Sequence, residues 1–245
     1  MRLYGLIGFP LTHSFSKRYF SEKFAREGIT DCRYELFPLR EIEELPGLID
    51  AHPGLRGLNV TVPHKKSVIQ YLHSTGGIPS GLRACNCIRV REGRLVGYNT
   101  DWIGFEKSFT PLLGPEHRNV LVLGQGGAAE AVIFVLEKLG LRYSVVSRVL
   151  HGRAQFRYED LDAGVIETHE VIINTTPVGM YPDAESAPAI PYEAITPRHL
   201  LFDLVYNPAQ TIFLKKGAGQ GAATANGELM LVIQAEESWK IWEGE

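Results

Sequence analysis

An unbroken aliphatic run, Val120-Leu121-Val122-Leu123, passes directly into Gly124-Gln125-Gly126-Gly127-Ala128-Ala129. Such a run describes a strand covered on both faces, which points to a parallel sheet flanked by helices. The amphipathic stretch from Ala128 to Leu139, stopped by Gly140, describes the helix that follows. Strand, glycine turn and helix together fit the G-x-G-x-x-G/A pattern, with Ala129 in the last place. There Gly124 makes the bend, and Gly126 lets backbone approach a pyrophosphate resting on the N–H groups of the helix start. The spacing predicts a Rossmann-like dinucleotide-binding domain, with Gly124, Gln125, Gly126, Gly127 and Ala128 at the cofactor.

The end of the next strand decides which dinucleotide is taken. NAD enzymes place an acidic residue about 20 positions on, to accept from the ribose 2′-hydroxyl. Here Tyr143 to Ser147 reads as that strand, and it ends on Ser147-Arg148, with Arg153 and Arg157 beyond. A carboxylate would repel a 2′-phosphate, whereas a guanidinium pairs with it through two hydrogen bonds. NADP(H) is the expected cofactor, with Ser147 and Arg148 on its adenosine side.

The rest of the chain alternates strand-like and helix-like stretches, which predicts an α/β fold with mostly parallel sheets. Strands are expected at Arg2 to Ile7, Cys32 to Phe37, Gly57 to Val62, Val171 to Asn174 and Leu200 to Leu204. Helices are expected at Ser16 to Glu27, Arg40 to Ala51, Lys65 to Leu72, Trp102 to Phe109 and Leu229 to Trp242. Ala84 to Val90 and Arg94 to Val96, joined by Arg91-Glu92-Gly93, form the one clear hairpin signal. A boundary near Asp101, with the last helix returning to the first half, predicts a substrate-binding and catalytic domain of residues 1–101 plus 228–245. Residues 102–227 form the cofactor domain.

Charge excludes several functions. With 25 basic and 28 acidic residues the net charge is −3, which offers no field to hold nucleic acid or an anionic membrane. No apolar run reaches the length of a membrane span, and the start reads as a strand and not as a signal peptide. Cys32, Cys85 and Cys87 form no C-x-x-C pair, and no His or Cys cluster has a metal-ligand spacing. The expectation is a reduced, metal-free, cytoplasmic protein, monomer or homodimer, with a small molecule as its partner.

Four polar segments stand at strand ends or just beyond them, where open α/β sheets bind ligands. They are Thr12-His13-Ser14-Phe15-Ser16, Asn59-Val60-Thr61-Val62-Pro63-His64-Lys65, Asn86 within Ala84 to Ile88, and Gly97-Tyr98-Asn99-Thr100-Asp101. Hydroxyls, amides, one amine and one carboxylate suit a small polyhydroxylated anion. These segments resemble the S-x-S, N-V-T-x-P-x-K and N-T-D-x-x-G motifs of the shikimate dehydrogenase family. The resemblance extends through the glycine turn to Ile173-Asn174-Thr175-Thr176-Pro177-Val178-Gly179-Met180, Asp203-Leu204-Val205-Tyr206-Asn207-Pro208, and Asn226-Gly227 through to Gln234-Ala235. It covers nearly the whole chain in order.

The resemblance implies reversible NADPH reduction of 3-dehydroshikimate to shikimate, in the route to aromatic amino acids. Lys65 and Asp101 would be the catalytic pair. Ser14 and Ser16 would bind the substrate carboxylate; Asn59, Thr61, Asn86 and Gln234 would contact the ring hydroxyls, with Tyr206 nearby. Thr176, Met180, Val205 and Gly227 would line the nicotinamide side. Each has a plainer reading: Ser14, Ser16 and Asp101 as helix caps, Lys65 as a solvated helix start, Arg148 as one more surface arginine. A quinate/shikimate enzyme using NAD, and a non-catalytic NADP sensor of the same fold, are the alternatives. Departures from the family pattern are Cys87 for Thr, Cys85 for Val, Val149 for Thr, Glu228 for an uncharged residue, and a short stretch between Arg148 and Val171.

Overall fold

The computed structural model describes residues 1–11 and 14–244. Thr12 and His13, quoted in the first polar segment, lie outside the described residues. Contacts divide the chain into two units, Met1–Ile103 with Val232–Glu245, and Gly104–Leu231.

The first unit is built on six strands: β1 (Arg2–Gly8), β2 (Cys32–Pro38), β3 (Leu55–Val60), β4 (Ser74–Gly77), β5 (Cys87–Arg91) and β6 (Arg94–Tyr98). They are ordered β2-β1-β3-β5-β6-β4. β1 pairs parallel with β2 and β3, β5 runs antiparallel to both β3 and β6, and β4 is parallel to β6. Only β5 is therefore reversed. The alternation of β1 sends Leu3 and Ile7 into one apolar cluster with Leu45, Leu58 and Val68, and Tyr4 and Leu6 into another with Phe20, Phe24 and Trp242. The second cluster is covered by α1 (Phe15–Arg26) and by α7 (Glu228–Glu243). Lys23 ties these two helices, with its Nζ 3.0 Å from Glu27 and 2.9 Å from Glu236. The end of α7 is held by Glu243, which accepts from Arg2 and from the Tyr4 hydroxyl.

The second unit carries β7 (Asn119–Leu123), β8 (Arg142–Ser147), β9 (Ala154–Arg157), β10 (Val171–Asn174), β11 (Leu200–Asp203) and β12 (Ala223–Asn226). Their order is β12-β11-β10-β7-β8-β9, with every pair parallel. Counted from β7 this is the 3-2-1-4-5-6 order of a doubly wound dinucleotide fold, whose switch point lies between β7 and β10. Its helices are α4 (Gly127–Lys138), the short α5 (Ala163–Glu167) and α6 (Ile212–Gly219), numbered after α2 (Leu45–Ala51) and α3 (Asp101–Phe109).

The α/β alternation in the sequence gives the right class, and several details differ. Arg40 to Ala51 splits into a 3-10 turn, Ile42–Glu44, and α2, because Pro46 in the first turn fixes where the α-helix begins. Lys65 to Leu72 is not α-helical; only Ser67–Tyr71 coils, as 3-10. β4, β9, α5, α6 and β12 are absent from the sequence reading. β4, β9, α5 and β12 have four or five residues each, too few to show a period, and β4 (Ser-Thr-Gly-Gly) is held by pairing and not by apolar burial.

Candidate active site

Topology assembles the segments expected to bind substrate. β1, β3 and β6 run the same way, so their C-terminal ends share one edge of the sheet. The reversed β5 brings its N-terminal end to that edge, with Asn59 opposite Cys87 and Cys87 opposite Tyr98. Thr61 to Lys65, Asn86 and Asn99 to Asp101 are thereby gathered from separate parts of the chain.

Lys65 leaves β3 through a turn fastened at three points. The His64 ring is buried and 2.8 Å from the Leu39 carbonyl, the His64 N–H donates to the Thr61 carbonyl, and the Lys65 carbonyl accepts from Cys85 N–H. Its Nζ stands 2.8 Å from Asp101 Oδ2, with the two side chains 17% and 8% exposed. Asp101 opens α3, yet the first turn of that helix is served by another residue. Asn99 Oδ1 takes the Trp102 N–H at 3.3 Å, while Asn99 Nδ2 donates to the Ala84 carbonyl. Both Asp101 oxygens are spent on side chains: Oδ2 on Lys65 and Oδ1 on Asn86 Nδ2 at 2.9 Å.

Asn86 is the hub. Its Nδ2 also reaches Thr100 Oγ1 at 2.9 Å and Gln234 Oε1 at 3.3 Å, and its Oδ1 accepts from Thr100 N–H at 2.6 Å. Asn59 donates to Ser238 Oγ and to the Asn86 carbonyl and accepts from the Tyr34 hydroxyl at 2.9 Å. Gln234 and Ser238 are four apart on α7 and so present one face. That spacing is the sequence signal by which Ser238, missed in the sequence reading along with Tyr34, was open to discovery. Buried polar groups joined in this way are held in one arrangement. Ser14 does cap α1, taking the Lys17 N–H at 3.3 Å, while the Ser16 side chain lies near Tyr34.

Cys85 and Cys87 are wholly buried beside this network. Cys85 Sγ donates to the Cys87 carbonyl at 3.3 Å, and burial pushes the Cys85 thiol up to about 12. Both behave as small packing residues, which accounts for their tolerance here.

In the second unit, Gly124 has φ +103, a left-handed conformation suited to glycine. A Cβ there would meet Thr175 Oγ1 at 2.8 Å. Gly126 precedes α4 with no side-chain cap, and nothing lies within 4 Å of where its Cβ would stand. Uncapped N–H groups facing an open cradle fit a pyrophosphate. Gln125 Nε2 bonds Ser147 Oγ at 3.0 Å, joining the turn to the end of β8. Arg148 is exposed and has no hydrogen bond or ion pair among the described residues, whereas Arg153 pairs with Glu137 and Arg157 with Asp160.

Across the switch point, Asp203 organises the segments expected on the nicotinamide side. Its Oδ1 accepts from Asn174 Nδ2 at 2.9 Å and Val205 N–H at 3.0 Å, and its Oδ2 from Thr211 Oγ1 at 2.6 Å. Asn174 Oδ1 in turn holds the N–H and hydroxyl of Thr176, and Nδ2 reaches the Val178 carbonyl. The Val205 carbonyl accepts from Gly227 N–H at 3.3 Å. A side chain at Gly227 would strike the Leu204 carbonyl, so only glycine fits there. Val205 is buried, Tyr206 partly so, and Met180 is 41% exposed. Burial holds the Asp203 carboxyl up at about 6 despite its three donors. Glu228 is exposed at the first turn of α7, where a carboxylate complements the helix dipole.

Among the described residues no group of three or more His, Cys, Asp or Glu is arranged to hold a metal, and no helix is long and apolar enough to cross a membrane.

A family model, the shikimate dehydrogenase substrate binding domain, matches residues 6–88. The shikimate dehydrogenase (NADP(+)) of Methanococcus maripaludis is 37% identical over 259 residues, spanning 99% of this chain and 92% of its own. The crystal structure of shikimate dehydrogenase from Aquifex aeolicus has a TM-score of 0.87 at 33% identity, covering 100% of this chain and 93% of that one. That of the Thermus thermophilus enzyme, in complex with NADP(H) and shikimate, has a TM-score of 0.86 at 29% identity, covering 100% and 94%. These likenesses run the length of both units, through the strand edge that carries Lys65 and the doubly wound sheet alike, and the chain belongs to the shikimate dehydrogenase family.

Proposed function

We propose that this chain catalyses the reversible NADPH-dependent reduction of 3-dehydroshikimate to shikimate. The observation that carries the reading is the Lys65–Asp101 ion pair at 2.8 Å, largely withdrawn from solvent and braced by Asn86. Residues 1–101 with 228–245 bind and protonate the substrate, and residues 102–227 hold NADP(H).

NADPH, when bound, supplies the hydride. The substrate carbonyl oxygen then gains negative charge and needs a proton, and Lys65 holds one there while its ammonium stabilises the developing oxyanion. Asp101 fixes the amine in place and completes the acid–base pair. Asn59, Thr61, Asn86 and Gln234 orient the ring hydroxyls, and Tyr206 is assigned to the substrate by its motif. Ser14 and Ser16 take the carboxylate. Capping and recognition are compatible at Ser14, because its oxygen accepts from Lys17 N–H and its own O–H remains a donor.

On the cofactor side, Gly124, Gln125, Gly126, Gly127 and Ala128 cradle the pyrophosphate. Thr176, Met180, Val205 and Gly227 line the nicotinamide, and Ser147 and Arg148 read the 2′-phosphate. Charge-assisted hydrogen bonds contribute about 1.5–3 kcal/mol, and the exposure of Arg148 calls for the low end. Arg148→Gln is therefore expected to raise KM for NADPH about 10-fold while leaving KM for NADH unchanged. Equal effects on both cofactors would remove Arg148 from the phosphate.

The reading also places the protein in the cytoplasm as a monomer or homodimer, and light scattering of the purified chain tests the oligomeric state. The first assay mixes purified protein with shikimate and NADP+ at alkaline pH and follows reduced nicotinamide, with NAD+ and quinate as the other arms. Signal from shikimate and NADP+ alone supports the assignment. A preference for quinate with NAD+ moves it to the related activity, and silence from folded protein moves it to a cofactor sensor.

A further inference from the structure

We propose that the side chain of Gln125 is a positioning residue for cofactor choice. It fastens the loop that carries Arg148 to the glycine turn, so that the 2′-phosphate meets a guanidinium whose backbone is already in place. The inference deepens the NADP-dependent reading above and rests on it.

Residues 148–152 follow β8 and are exposed throughout. The bonds this loop makes within itself and to the start of β9 are local. The Ala154 N–H donates to the His151 carbonyl and the His151 ring to the Val149 carbonyl, each at 3.1 Å. Arg153 secures the far end, with Nη1 2.8 Å from Glu137 Oε1. Among the described residues, the hydrogen bond that reaches residues 148–152 from a distant part of the chain comes from Gln125.

Gln125 stands in the turn after β7, and β7 lies beside β8 with Leu123 opposite Val146. The turn is thereby carried to the end of β8. Gln125 Nε2 donates to Ser147 Oγ at 3.0 Å and lies 3.1 Å from the His151 ring. His151 Nδ1 faces a carbonyl, which can only accept, so Nδ1 carries the ring proton and Nε2 is the nitrogen that accepts. The two amide hydrogens thus meet two acceptors, one on each side of Arg148 in the chain. The amide oxygen lies against the loop as well, since a Cβ on Gly152 would meet Oε1 at 2.9 Å. One side chain therefore spans the loop from Ser147 to Gly152.

A loop fixed before binding loses less freedom when the ligand arrives, and the apparent affinity rises with the fraction of protein in the competent arrangement. In a doubly wound sheet the ribose 2′-position is read at the end of this strand. A 2′-hydroxyl gives the guanidinium no charge-assisted bond, so the tether serves NADP(H) and not NAD(H). Ser147 keeps its own O–H as a donor with or without the amide, so the effect runs through Arg148.

The test is calorimetric titration of NADP+ and of NAD+, without substrate, into wild type, Gln125→Ala, Gln125→Met, Arg148→Gln and the double variant Gln125→Ala/Arg148→Gln. Methionine keeps the length of the side chain and removes its hydrogen bonds, and every variant keeps the backbone N–H groups of the turn. Each Gln125 variant is expected to weaken NADP+ about 3- to 10-fold and NAD+ less than about twofold. Added to Arg148→Gln, Gln125→Ala is expected to cost less than about twofold more, because the group it positions is gone. Wild-type NADP+ affinity in Gln125→Met overturns the proposal, since filling the space then suffices. Equal weakening of both cofactors overturns it by marking the amide as a prop for the pyrophosphate turn, and so does an undiminished loss in the double variant. Wild-type protein that binds NAD+ as tightly as NADP+ would instead remove the NADP-dependent reading itself, a separate failure.

Discussion

Lys65→Ala is expected to lower turnover of 3-dehydroshikimate with NADPH at least about 10²-fold, the range for removing a positioned acid–base group. The ammonium is paired with Asp101, and alanine removes the group to which the proposed mechanism assigns both the proton and the charge facing the oxyanion. Binding of the cofactor should be untouched, because Gly124 to Ala128 and Ser147-Arg148 belong to the other unit. KM for NADPH is therefore the internal control. Folding should survive, since the backbone at Lys65 is fastened through His64, Thr61 and Cys85 and not through its amine. Turnover within about threefold of wild type would exclude Lys65 from the chemistry. Asp101→Asn should fall less steeply, because an amide oxygen still accepts from Lys65 or Asn86.

Asp203→Ala is expected to destabilise the protein by about 3 kcal/mol at neutral pH. Alanine leaves Asn174 Nδ2, Val205 N–H and the Thr211 hydroxyl without their acceptor in a buried site. The loss should also free the Thr176 to Val178 segment that Asn174 holds, and so raise KM for NADPH. A urea midpoint unchanged from wild type would refute the structural half of this expectation.

The same carboxylate makes a pH prediction with a definite sign. Its folded-state value of about 6 lies above the ordinary 3.8, so the folded protein binds this proton more tightly than the unfolded chain. The proton-linked part of its contribution, separate from the three hydrogen bonds it accepts, is complete below pH 3.8 and is lost as pH rises through 6, by an amount on the order of 3 kcal/mol. In Asp203→Asn that fall is absent. Relative to Asp203→Asn, the urea midpoint of the wild type should therefore drop between about pH 4 and about pH 7. Parallel curves would mean that the carboxyl titrates at its ordinary value.

The amino-acid sequence by itself determined the class of the fold and the chemistry of each segment. Val120 to Leu123 followed by Gly124 is legible because an aliphatic run and a glycine turn are local features, each fixed by a few consecutive residues. The same holds for the Ser147-Arg148 strand end, and for the motifs through which the chain resembles its family. Edges and helix ends were less legible. β4 and β12 pair at the margins of their sheets, where neighbours, and not periodicity, hold four residues in a strand. Only tertiary structure decided which roles the polar residues take. Asp101 reads as a cap from its place before Trp102, yet Asn99 fills that role and frees the carboxylate for Lys65. The hairpin turn makes the reversal of β5 against β6 legible, but the pairing of β5 with β3, which brings Asn86 to the edge where β3 and β6 end, has no local signature, because it joins distant partners. Likewise Ser147, Gln125 and His151 are up to 26 positions apart, and their clasp exists only because β7 and β8 lie side by side.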